Sequence, residues 1–144
     1  MAERLKAVFA DPAPEPDWTD RDAVVDYLVE VERPFAGPHS FDEAAVREVA
    51  RDVVDRTVNL KSSLKNHWLV DGGEDIRPRL GEVRVPTLVI HGTEDPLFPL
   101  AHAIALAREI PHAELVLLDG VGHQPPPRST WDLVLPAILR HTAV

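Results

Sequence analysis

Cysteine is absent from all 144 residues. Disulfides, thiolate nucleophiles and thiolate metal ligands are thereby excluded, and the composition suits a reducing compartment, so the cytoplasm is the expected location. Long apolar runs are absent as well. No stretch approaches the ~18 residues of a membrane span, and Met1-Ala2-Glu3-Arg4-Leu5-Lys6 has no apolar core of the kind that a secretion signal needs. Positive charge is scarce: 15 Lys plus Arg stand against 24 Asp plus Glu, a net charge of −9 that no basic cluster offsets. Such a surface repels phosphate backbones and anionic lipid, so neither nucleic acid nor membrane is an expected partner. The seven histidines, His39, His67, His91, His102, His112, His123 and His141, form no pair at helical ligand spacing beside a carboxylate, and no metal or other cofactor is expected. Arg far outnumbers Lys, and with the abundant Ala, Val and Pro this fits GC-rich, bacterial coding.

What is present divides near residue 82. Residues 1–82 read as helical. Thr19-Asp20-Arg21-Asp22 has the form of a capping box ahead of Val24, Leu28 and Val31, and Ser40-Phe41-Asp42-Glu43 has it ahead of Val46, Val49 and Val53. A third helix is expected over Leu60 to Leu69, ended by Asp71-Gly72-Gly73, and a short turn over Ile76 to Val83. Asp11 to Pro16 is Pro-rich and acidic, the composition of an extended, loosely held linker.

Residues 83–144 switch to α/β. Thr87 to Ile90 and Glu114 to Leu118 are β-branched and aliphatic strand patterns, Pro99 to Ile110 between them is helical, and Ser129-Thr130-Trp131-Asp132 is expected to cap a last helix that Pro136 kinks or begins. Strand, helix, strand is a βαβ unit, and in parallel sheets chemistry collects beyond the carboxyl ends of the strands. Two loops fall there: Gly92-Thr93-Glu94-Asp95-Pro96 and Gly120-Val121-Gly122-His123. The consecutive apolar residues Leu88, Val89 and Ile90 are the pattern of a strand covered on both faces, inside a sheet. Two strands alone leave unpaired edges with too few helices to cover both faces. The sheet is expected to be completed by another part of a longer polypeptide or by a second copy of the chain.

At these residues the chain resembles the α/β-hydrolase family: Val85-Pro86-Thr87-Leu88-Val89-Ile90-His91-Gly92-Thr93-Glu94-Asp95 is similar to its acid strand and loop, and Gly120-Val121-Gly122-His123 to its histidine loop. Residues 1–82 are similar in character to the helical cap or lid that these enzymes insert before the acid strand, and the cap length and Asp-Pro continuation resemble small-molecule esterases of the anthracycline-methylesterase kind. The fold thus implied is α/β, a helical cap followed by a C-terminal βαβα unit of a parallel sheet that lacks its N-terminal strands.

In that family the nucleophile precedes the acid and histidine, on an elbow of pattern G-x-S-x-G. Ser40, Ser62, Ser63 and Ser129 are the only serines, and none has glycine two residues before or after it. Gly73-Glu74-Asp75 does not make an aspartate elbow, and His91-Gly92 opens the acid loop rather than an oxyanion loop, so His91 reads as structural. The resemblance assigns Asp95 as the acid that orients His123 and His123 as the base that takes the nucleophile's proton and later returns it. Singly, Asp95 is explained as a turn residue before Pro96 and His123 as an ordinary loop histidine; at the ends of successive strands, the two together point to a catalytic pair. Trp18, Trp68 and Phe98 are read as packing residues, with no substrate contact assigned. The expected function is the cap and C-terminal part of a hydrolase of esters or related small molecules, inactive alone, with the nucleophile-bearing N-terminal part as partner. The rivals are a non-catalytic homo-oligomeric scaffold and one chain of a split hydrolase.

Overall fold

Two strands, β1 (Leu88–Gly92) and β2 (Glu114–Leu118), pair in parallel with Leu88 opposite Glu114 and Gly92 opposite Leu118. They form the one sheet among the described residues of this computed structural model, which describes residues 1–66 and 69–143. Helix α5 (Leu100–Glu109) makes the crossover, and α6 (Trp131–Thr142) packs Val134 against Leu118 and Val121, with Ile90 and Val116 at the margin. The shared register brings both strand ends to one level, so the loops after Gly92 and Leu118 leave side by side. This is the βαβα unit of a parallel sheet that the sequence pattern implies.

Ahead of the sheet lie α1 (Glu3–Ala10), α2 (Arg21–Glu32), α3 (Glu43–Arg56) and α4 (Leu60–Asn66). A second core joins α2, α3 and α4: Val24, Val25, Leu28 and Val29 of α2 meet Ala50 of α3, flanked by Trp18, Leu60 and Leu64. Val25 and Val29 are fully buried, as is Leu5 of α1, and each such side chain contributes about 2 kcal/mol by leaving water. No described helix is long and apolar enough to cross a membrane.

The helix starts differ from the sequence pattern in an instructive way. Asp20, not Thr19, caps α2, accepting from the Asp22 and Ala23 amides; the Thr19 amide and hydroxyl both bind the Asp17 carboxylate. Asp42, not Ser40, caps α3 through the Ala45 amide, because the Ser40 hydroxyl is engaged elsewhere. No side chain caps α6: Thr130 Oγ1 donates to the Pro127 carbonyl, and a 3-10 turn (Arg128–Thr130) leads into a helix that runs on through Pro136. Helix α1 and the 3-10 turn Arg33–Phe35 were not marked by caps in the sequence. The expected helix to Leu69 is seen to Asn66, and its His67 and Trp68 lie outside the described residues. The Pro-rich stretch before Trp18 is extended but fastened, since Glu15 accepts from Trp18 Nε1 and from Lys61 and Lys65. Those donors, Lys65 foremost, lower the Glu15 carboxyl from its ordinary value to about 2.

Candidate active site

Asp95 sits three residues beyond β1, and its placement follows from the loop itself. Its Oδ1 accepts from the Leu97 and Phe98 amides, each at 2.8 Å, a local motif in which an Asp side chain closes the turn that Pro96 continues. Its Oδ2 accepts from His123 Nδ1 at 2.9 Å. The Asp95 side chain is only 4% exposed and that of His123 is 40% exposed, so the carboxylate is sheltered while the imidazole faces outward. A carboxylate can only accept, so Nδ1 carries a proton, and in the neutral ring Nε2 is the acceptor. Nε2 has no protein partner among the described residues.

The two loops are stitched together. The Thr93 amide donates to the Leu118 carbonyl and the Glu94 amide to the Val121 carbonyl, while Thr93 Oγ1 accepts from the Gly120 amide. From the helical side, the carbonyl of Phe35 accepts the His123 amide at 2.7 Å. This approach demands glycine. A Cβ on Gly122 would stand 2.2 Å from the Gly37 nitrogen and 2.4 Å from the Phe35 oxygen, and a Cβ on Gly37 would stand 2.0 Å from the Gly120 oxygen. The His123 ring is flanked by Phe98 at 5.4 Å, edge to face, and by Phe35 at 6.1 Å. His91 donates from Nε2 to the Phe98 carbonyl at 2.9 Å and lies 3.9 Å from Asp95 Oδ2, bracing the acid loop in keeping with a structural role.

Ser40 completes the bracket around the histidine loop. Its hydroxyl accepts from the Gly37 amide and donates to Gln124 Oε1, each at 3.0 Å, while Gln124 Nε2 donates to the Ser40 carbonyl at 3.1 Å. Ser40→Ala strips a half-buried amide and a half-buried amide oxygen of their partner, so a loss of about 1–2 kcal/mol is expected in urea unfolding; an unchanged midpoint would mean that the bracket carries no energy.

Asp95 and His123 line a cleft of about 430 Å³ together with Glu32, His91, Phe98 and Gln124. Phe98 therefore faces the site, beyond the packing role read from the sequence. Trp18 does not; it borders a separate hollow of about 250 Å³ between the helices, with Thr57 and Leu60. Glu32, at the end of α2, went unnoticed in the sequence because only the tertiary fold carries it to His123. Glu32 is exposed as a residue, yet partial desolvation of its carboxyl raises the pKa above the ordinary 4.5, and the facing His123 partly opposes this. A raised carboxyl binds more protons folded than unfolded, so its ionisation lowers stability as pH climbs from about 4.5 through the folded value. Glu32→Gln is accordingly expected to leave Tm unchanged near pH 4 and to raise it at pH 7; an equal shift at both pH values would assign the effect to packing.

Comparison with known proteins decides the family. The alpha/beta hydrolase fold model matches residues 15–126. This chain belongs to the α/β-hydrolase family. Over 51 residues, 35% of the chain, it is 47% identical to a pimeloyl-[acyl-carrier protein] methyl ester esterase of Aromatoleum aromaticum, covering 20% of that protein. Over 49 residues, 34% of the chain, it is 41% identical to a 2-hydroxy-6-oxo-6-phenylhexa-2,4-dienoate hydrolase of Burkholderia cepacia, covering 17% of that protein. Among solved structures, an esterase from Rhodococcus sp. ECU1013 superposes with a TM-score of 0.63 at 15% identity, over 99% of this chain and 48% of that one. This α/β-hydrolase chain thus spans about half the length of such structures, and its matched segments span a fifth or less of the curated relatives.

Proposed function

We propose that residues 1–82 form the cap and residues 83–144 the acid and histidine half of a serine-type hydrolase acting on small-molecule esters. The carrying observation is the His123 Nδ1 to Asp95 Oδ2 hydrogen bond, which leaves Nε2 as a free acceptor at a cleft. Asp95 holds the tautomer and stabilises the imidazolium; His123 deprotonates a nucleophile and then protonates the leaving alcohol. The nucleophile comes from outside these residues, since no serine here sits on a glycine elbow, and the isolated chain is inactive.

An ester is favoured because one matched relative is a methyl ester esterase and His123 Nε2 is placed to pass a proton to a leaving alcohol. The partner is the N-terminal strands of the same fold. Leu135 and Leu139 of α6, 47% and 67% exposed, supply apolar surface for it to cover. The lack of cysteine, with bacterial relatives, supports a bacterial cytoplasmic protein.

The test is a fluorophosphonate serine probe followed by intact-mass analysis of protein from the native source. A labelled species that contains or accompanies this chain, with labelling lost on His123→Ala, is expected. Ester hydrolysis by the isolated 16.0 kDa chain would overturn the inactivity; an unlabelled oligomer of that chain alone would overturn the catalytic reading in favour of a scaffold.

A further inference from the structure

We propose that Glu32 and Phe98 form a subsite beside His123 for a cationic, ammonium-bearing part of the substrate. The inference rests on the hydrolase reading and adds the charge class of the substrate.

Glu32 lines the same cleft as His123 and is engaged in no hydrogen bond or ion pair among the described residues. The neighbouring cation does not neutralise it. Arg33 is instead held by Glu30 and Glu43 through its own guanidinium. Phe98 places an aromatic ring on the cleft, 46% exposed and 5.4 Å from the imidazole. A carboxylate and an aromatic ring lining one cleft are groups that recognise organic ammonium, through the formal charge and the ring quadrupole. Glu32 is the last residue of α2, whose final carbonyls add negative potential at this end. The chain's charge of −9 draws cations toward it in addition. Glu32 is an exposed residue, so its unpartnered carboxylate is within reach of such a substrate and gains a counter-ion when it binds.

Three methyl esters of matched length test this: methyl aminocaproate (cation), methyl caproate (neutral) and monomethyl adipate (anion). Each is titrated into the 144-residue chain at low salt while the His123 imidazole signals are followed by NMR. The cationic ester should bind about three- to tenfold tighter than the neutral one, with the anion weakest. Glu32→Gln should bring cation and neutral ester within about twofold of each other, and Glu32→Asp should keep the order. Equal binding of all three by the unaltered chain, with His123 still shifting, would overturn the cationic subsite and leave the hydrolase cleft standing. If no ester shifts His123, both the subsite and the substrate cleft are overturned.

Discussion

Replacing Gly122 by alanine is expected to destabilise the chain by about 3 kcal/mol and to release His123 from Asp95. The new Cβ meets the Gly37 nitrogen, the Ala36 carbonyl carbon and the Phe35 oxygen, all closer than 2.5 Å. All three are backbone atoms, so no side chain can swing away to make room. The histidine loop or segment 35–37 has to move, and that movement breaks the bond from the His123 amide to the Phe35 carbonyl. Urea unfolding reads the energy, and the downfield Nδ1 proton of His123 reads the geometry. A variant of unchanged stability that keeps this proton would show that the close packing of the two glycines does not hold the pair together.

Asp95→Asn is expected to lower kcat of the nucleophile-complemented hydrolase by about 10⁴ while leaving KM nearly unchanged. The reason lies in the hydrogen-bond inventory around the carboxyl. One oxygen already faces two donors, the Leu97 and Phe98 amides, so an asparagine must keep its carbonyl there. Its NH2 group then faces His123 Nδ1, where the carboxylate had accepted. Two donors cannot meet, and the imidazole moves its proton to Nε2, where a base needs a lone pair. In the isolated chain the same switch removes the Nδ1 proton signal. A loss of less than tenfold in kcat would separate Asp95 from the chemistry and return it to the turn residue that its neighbour Pro96 allows.

The glycine and aspartate predictions differ in how readable they are from the chain alone. Asp95 and His123 stand out because each follows a strand pattern at a fixed short distance, and a parallel βαβ unit puts such positions at one sheet end. Strand β2 lies where the largely aliphatic run Glu114 to Leu118 places it, since such residues suit the pleated backbone paired with β1. Helix starts were less readable. Thr19 and Ser40 satisfy the local pattern for a cap, yet Asp17 engages the first and the Gly37–Gln124 bracket engages the second. A cap is decided by which donors and acceptors are left over after long-range contacts form.

Local information therefore determined the α/β character of residues 83–144, the helical character before them, and the meeting of Asp95 with His123. These depend on periodicity, turn chemistry and composition, all properties of neighbouring residues. Only the tertiary structure decided that Glu32 and Phe98 share a cleft with His123, that Phe35 accepts the His123 amide, and that Gly37 and Gly122 must lack side chains. Apart from that of Phe98, those relations join residues roughly ninety positions apart across two packed units, and nothing in the sequence near either residue records how closely the other approaches.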